Sequence, residues 1–247
     1  ERQTWLPSKP DFITVRQGRF LIGSANAFRD EWPRQWVEIK AFLGGLTEVT
    51  NAHYKACVDA GACTPPHWDD NRCHIFKGNQ LSGHSLQNGP LPAVGRRGDL
   101  PVVCVTWQQA NSYAAWANAR LLSEAEWEFV ARSGDRTYLY PWGREEPSCE
   151  YAVMTIPIRM DRFDAKRFQT GCGFSTFLPV CSRPKGVNSY GMCDLAGNVW
   201  EWVTDTYRPS HERVPPDGSP VRGAGLKVIR GGGFASSARE LRSEEHT

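Results

Sequence analysis

Apolar and polar positions alternate early in the chain and then lose their period for long stretches. Phe12 to Val15 and Phe20 to Gly23 are short extended runs around a Gln17-Gly18 turn, a pattern that predicts a hairpin. Trp36 to Phe42 alternates for much of its length, as a strand with one covered face does. Thr50 or Asn51 offers a side-chain cap for a helix over 52–60, ended by Gly61. From Cys63 to Leu100, Gly, Pro, Asn, Asp and His crowd together without a sustained period. That stretch predicts a long surface excursion held by Cys73. Pro101 to Val105 predicts a short buried strand. Thr106 then opens an amphipathic helix to about Asn118, with Trp107, Ala110, Tyr113 or Ala114, and Ala117 at helical spacing. Ser123 and Glu126 form an S-x-x-E capping box. The helix behind it turns Trp127, Val130 and Ala131 inward and stops near Ser133-Gly134. Beyond the aromatic turn from Tyr138 to Gly143, residues 145–189 offer only fragments of strand. A few helices among short strands and long loops describe an α+β domain with much irregular structure. No repeat at a fixed period is visible, which excludes solenoids and propellers.

Composition narrows the picture further. The chain has 247 residues, enough for one large domain or two small ones, and 40% of them are apolar, which excludes a disordered chain. No apolar run approaches the roughly 18 residues needed to span a bilayer. Lys and Arg total 29 against 27 Asp and Glu, with no basic stripe, so nucleic acid is not an expected partner. The first residue is Glu1 rather than Met, so the chain reads as a mature form or a piece of a longer one. Eight cysteines with no C-x-x-C pair argue against zinc ribbons and for disulfides in an oxidising compartment, periplasmic or extracellular. Cys57 with Cys63 and Cys181 with Cys193 are the expected local pairs, since each closes a short loop.

The densest chemistry lies in Cys193 to Trp202, reading C-D-L-A-G-N-V-W-E-W. Asp194 and Glu201 are hard oxygen ligands, and Gly197 gives the backbone freedom to turn between them. The spacing suits a loop around calcium, with the carbonyls of Gly197 and Val199 completing part of the shell. The plainer alternative is a turn at Asp194 and a strand cap at Glu201. His67, His74 and His84 lie in the irregular excursion, as a metal site or as solvated surface groups. Trp68, Tyr138, Tyr140 and Trp142 either floor a ligand groove or staple loops to the core.

Six segments, taken in order, resemble the formylglycine-generating enzyme and sulfatase-modifying-factor family. They are Phe20 to Ser24, Thr47 to Asn51 (T-E-V-T-N), Pro101 to Trp107, Arg120 to Arg132 followed by Pro141-Trp142-Gly143, Asn188 to Trp202, and Arg230 to Phe234. The resemblance implies one domain over 1–247 with a variant of the C-type lectin fold. It also implies a structural calcium on Asp194, Gly197, Val199 and Glu201. A second calcium site in the family begins with an Ala-Asn-Ile segment. The aligned Ala152-Val153-Met154 carries no side-chain oxygen.

The family's named enzyme oxidises a cysteine of a client sulfatase using copper held by two of its own cysteines. Paired thiolates suit Cu(I) because soft sulfur selects it. The two positions fall here on Ser236 and Leu241, and the histidine beside the first becomes Ser237. A hydroxyl and an isobutyl group do not hold Cu(I), so copper is not expected. The expected role is a ligand-binding module for a protein or small molecule. The alternative is an oxidoreductase of the formylglycine-generating or pyoverdine-maturing branch. The last six residues, Arg242 to Thr247, are what a common sequencing-library adapter encodes in frame. They predict either a domain cut short at its carboxyl end or a naturally shortened terminus, with Arg242 and Ser243 also compatible with the family.

Overall fold

In the computed structural model, residues 10–25, 29–77, 85–158, 167–212 and 214–244 are described. The framework begins with β1 (Phe12–Val15), β2 (Gly18–Ile22), β3 (Gln35–Ile39) and β4 (Phe42–Gly45). The expected hairpin between the first two strands does not form. β1 pairs antiparallel with β4, Val15 facing Phe42, while β2 pairs with β3, Phe20 facing Val37. The run expected as one strand over 36–42 is two strands, interrupted at Lys40-Ala41, and the break lets each half find a different partner. Alternation marks a strand with one covered face but carries no information about which neighbour supplies its hydrogen bonds.

Three α-helices follow among the described residues. α1 (Asn51–Asp59), α2 (Trp107–Trp116) and α3 (Glu124–Ala131) each begin on a capping box, closed by Thr50, Thr106 and Ser123 respectively. In each, the cap hydroxyl accepts the N3 amide and the N3 side chain accepts the cap amide, satisfying two otherwise orphaned donors. α1 stops where Gly61 takes φ +72°.

Four further strands form ribbons in the loops: β5 (His74–Lys77) with β6 (Ser85–Asn88), and β7 (Ile156–Ile158) with β8 (Arg167–Gln169). The excursion from Cys63 to Leu100 thus holds a hairpin, and Leu91 and Leu100 are buried in a cluster with Cys73 and Phe177. β9 (Glu201–Thr206) pairs with β10 (Lys227–Arg230). The strand expected over 101–105 is only an isolated bridge from Pro101 to Thr50. Cys104 takes φ +62° and is tied to Cys73, and that bend breaks the extended backbone a strand needs.

The main core forms where α3 packs against β2, β3, β9 and β10. Trp127, Phe129 and Val130 meet Phe20, Ile22, Val37, Val203 and Val228 there. α3 also carries Glu128 inward, where its carboxylate accepts from the Gly23 amide and pairs with Arg132 and Arg230 at 2.8 and 2.9 Å. Glu124 meets the same Arg230 at 3.1 Å. Burial alone pushes Glu128 up, but Arg132, Arg230 and His211 overcome it and hold the carboxyl below the usual range. This cluster joins the start of the chain, α3 and β10 across more than a hundred residues of sequence.

All eight cysteines are paired. Cys57–Cys63 and Cys181–Cys193 are the two bonds expected from short loops, and Cys73–Cys104 and Cys149–Cys172 complete the set. No helix among the described residues is long and apolar enough to cross a membrane.

Candidate functional site

The loop from Asp194 to Glu201 leads directly into β9 and is folded by its own backbone. Asp194, Gly197 and Asn198 take φ +58°, +84° and +61°, so the chain reverses sharply between the two carboxylates. Only glycine fits at 197, where a Cβ would sit 2.6 Å from the Val153 carbonyl oxygen. The loop is pinned on both sides. Gly197 donates to Gly231 O at 2.8 Å, Asn198 donates to Val153 O at 2.9 Å, and Phe234 donates to Asn198 O at 2.7 Å.

The expected ligand side chains are each held by one oxygen. Asp194 Oδ2 accepts from the Cys181 amide at 2.5 Å, and Glu201 Oε2 accepts from the Trp127 indole at 2.7 Å. Burial pushes Asp194 up to about 6, against the Cys181 amide and Arg183. Burial pushes Glu201 up to about 7, and Asp194 adds to the rise against the Trp127 hydrogen bond. Two sheltered carboxylates, both raised by burial and one of them also by the other, form a hard-oxygen donor set of the kind that suits calcium. No group of three or more His, Cys, Asp and Glu side chains among the described residues is placed to hold one ion. The expected set draws on two carboxylates and two main-chain carbonyls.

A third carboxylate, missed by sequence reasoning, touches this loop. Glu48 Oε2 accepts from Asn198 Nδ2 at 2.8 Å, and its Oε1 accepts from the Val199 amide at 3.3 Å. Burial, then Asp194 and Glu201, raise its carboxyl well above the ordinary value. The T-E-V-T-N segment was visible as a motif, but nothing local tied it to a loop 150 residues away.

An open groove of about 1440 Å³ runs past this loop, with Trp107, Trp200, Trp202, Phe234 and Ser236 along its walls. Trp107 and Trp202 are fixed by their indole N–H groups, which donate to Val203 O and Val105 O. Lys227 Nζ lies 4.3 Å above the Trp107 ring, adding a cation to the aromatic wall. Ser236 is buried, and its hydroxyl accepts from the Gly233 amide at 3.1 Å. Leu241 is buried against Tyr140, Ala152, Met154 and Ala196. The Ala152-Val153-Met154 stretch is packed too, with the Cys172 amide donating to Met154 O.

The other sequence candidates separate. His67 pairs with Asp70 at 2.6 Å, while His84 and the His74 side chain lie outside the described residues. Three of the four aromatics staple loops, while Tyr138 meets the nearby Arg136. Trp142 stacks between Tyr140 and Tyr151 with centroids 5.2 Å away on each side, and Trp68 donates to Val103 O and packs beside Leu91.

The comparisons with known proteins agree with this arrangement. The model of the sulfatase-modifying factor enzyme 1-like domain matches residues 2–247. The inactive C-alpha-formylglycine-generating enzyme 2 of Mus musculus is 36% identical, covering 93% of this chain and 76% of that protein. The formylglycine-generating enzyme of Bos taurus is 35% identical over 92% of this chain and 66% of its own length. Hercynine oxygenase of Mycobacterium tuberculosis is 30% identical over 86% of this chain, which spans only 50% of that protein. Among solved structures, PvdO from Pseudomonas aeruginosa superposes with a TM-score of 0.70 at 24% identity, covering 97% of this chain and 88% of PvdO. Treponema denticola variable protein 1 gives 0.65 at 21%, covering 96% and 88%. The motifs, the fold and the matches converge: this chain belongs to the sulfatase-modifying-factor, or formylglycine-generating-enzyme, family.

Proposed function

We propose that this domain is a calcium-stabilised, extracytoplasmic binding module that takes a protein or small-molecule ligand in its aromatic groove, without copper-dependent cysteine oxidation. The observation that carries this reading is the fate of sulfur in the chain. Every cysteine is spent in a disulfide, and the positions of the family's copper pair hold Ser236, tied to Gly233, and Leu241, sunk in an apolar cluster. A thiolate pair is what Cu(I) needs, and this chain has none to offer. Four disulfides also favour an oxidising compartment. The similarity to a mouse relative named as inactive points the same way.

Asp194 and Glu201, with the carbonyls of Gly197 and Val199, would hold the calcium. Bound there, calcium supplies positive charge to two sheltered carboxylates and cross-links the loop to β9. A ligand present at about a hundred times its Kd adds about 2.7 kcal/mol of stability, or roughly 5–10 °C in Tm for a domain of this size. Calcium added to the metal-free protein is expected to raise Tm by that amount, and Glu201→Gln to remove the rise. An equal Tm with calcium or chelator would sink the calcium part of the reading.

The second reading, an oxidoreductase, is favoured by the likeness to hercynine oxygenase. One assay tests the formylglycine-generating branch of that reading. A cysteine peptide incubated with the protein, copper and oxygen is expected to return without aldehyde by mass spectrometry. Stoichiometric bound copper with aldehyde formation would establish the oxidoreductase.

A further inference from the structure

We propose that Glu48 is a positioning residue for calcium: its carboxylate clamps residues 198–199, so that the loop bearing the Gly197 and Val199 carbonyls keeps one shape. The inference rests on the calcium reading and concerns a residue outside the ligand set.

Glu48 stands on a fixed base. Just before it, Leu46 O accepts from the Cys193 amide, and just after it Val49 O accepts from Val102. Thr50 caps α1 and bridges to Pro101. From that base the buried side chain reaches the loop and uses both oxygens, one on Asn198 Nδ2 and one on the Val199 amide. With both oxygens engaged, and no three-acid group placed to share an ion, Glu48 acts on the loop rather than on the ion.

Asn198, at 0% exposure, multiplies the effect. Its amide group also donates to Leu178 O at 3.1 Å and accepts from Leu178 N at 2.8 Å. Its backbone joins Val153 and Phe234. Moving the residue between the two carbonyl ligands would break bonds to four separate segments. One of those segments carries Phe234, two residues before Ser236 on the groove wall. Two donors demand two acceptors, which a carboxylate supplies and an amide does not, since one end of Gln is itself a donor.

Terbium stands in for calcium, and its luminescence is sensitised by Trp127, whose indole donates to Glu201. Titration of the wild type, Glu48→Gln and Glu48→Asp, each competed with calcium, reads affinity directly. Residues that orient metal ligands typically cost 10- to 100-fold in affinity when changed, and Glu48→Gln is expected to fall in that range. Glu48→Asp keeps both acceptor oxygens and is expected to lose less. A mere space-filling role predicts the reverse order, because Gln preserves volume and Asp does not. Wild-type affinity in Glu48→Gln, or a larger loss in Glu48→Asp, would overturn the inference while leaving the calcium reading intact. A wild type that binds neither ion would overturn both. Hydrogen exchange on the wild type covers the case of an unfolded variant. Calcium is expected to slow amides over 47–50 together with those over 194–201, and slowing confined to 194–201 would overturn the clamp.

Discussion

Glu128 shows how much a single buried charge carries in this fold. It is fully buried between Arg132 and Arg230, and removing it leaves two guanidinium groups without a shared counter-ion. Loss of one member of a buried pair costs about 3–5 kcal/mol, and Glu128→Ala is expected to fall in that range by denaturant unfolding. Its carboxyl titrates lower folded than unfolded, so its stabilisation is complete above the unfolded value of about 4.3 and is lost as pH falls through the lower folded value. The gap between wild type and Glu128→Gln is therefore expected to be widest near neutrality and to narrow in acid. A gap independent of pH would show that the pair carries no charge-linked stability. Gly197→Ala belongs to the same scale. A left-handed backbone and a 2.6 Å approach to Val153 O predict a loss of about 1–3 kcal/mol, together with weaker ion binding.

Between neighbouring elements, what could be read from sequence was what is local. The box at Ser123 and Glu126, the cap at Thr50 or Asn51 and the helix start at Thr106 are signals within one helical turn, and the structure forms capping boxes at Ser123, Thr50 and Thr106. Loops as short as those from Cys57 to Cys63 and Cys181 to Cys193 also announced their bonds. Strand partners did not show, because β1 and β2 alternate alike whichever neighbour they pair with. The apolar run at 101–105 misled, since a tether at Cys104 overrode its propensity. Most of the candidate loop was legible from Asp194, Gly197 and Glu201, whereas Glu48 was not, being brought in by tertiary packing. The Cys181–Cys193 bond braces that loop directly: Cys193 precedes Asp194, and the Cys181 amide donates to Asp194. Replacing both cysteines with serine is expected to lower terbium affinity at least as clearly as it lowers Tm. Unchanged affinity would show that the hydrogen bond alone holds Asp194.

Taken as a whole, the molecule divides its labour between covalent and non-covalent cohesion. The four disulfides lie between Cys57 and Cys193, among the smaller clusters and long loops. The main core of α3 with β2, β3, β9 and β10 contains no cysteine. Small apolar clusters cannot offset the entropy of ordering long loops, and cross-links reduce that cost by restricting the unfolded chain. Under reductant, limited proteolysis is expected to cut first within 61–104 and 145–190, while α3 and the β9–β10 ribbon stay protected. Cleavage starting in α3 would show instead that the bonds hold the entire fold.

The bridge from Asn198 to Phe234 gives the groove a different kind of dependence. Whatever settles the turn beside β9 also settles the wall against which a guest would rest, because one peptide carbonyl belongs to both. Docking and mineral occupancy would then rise and fall together, and a chelator would loosen the grip on a guest without touching a single atom of the contact surface.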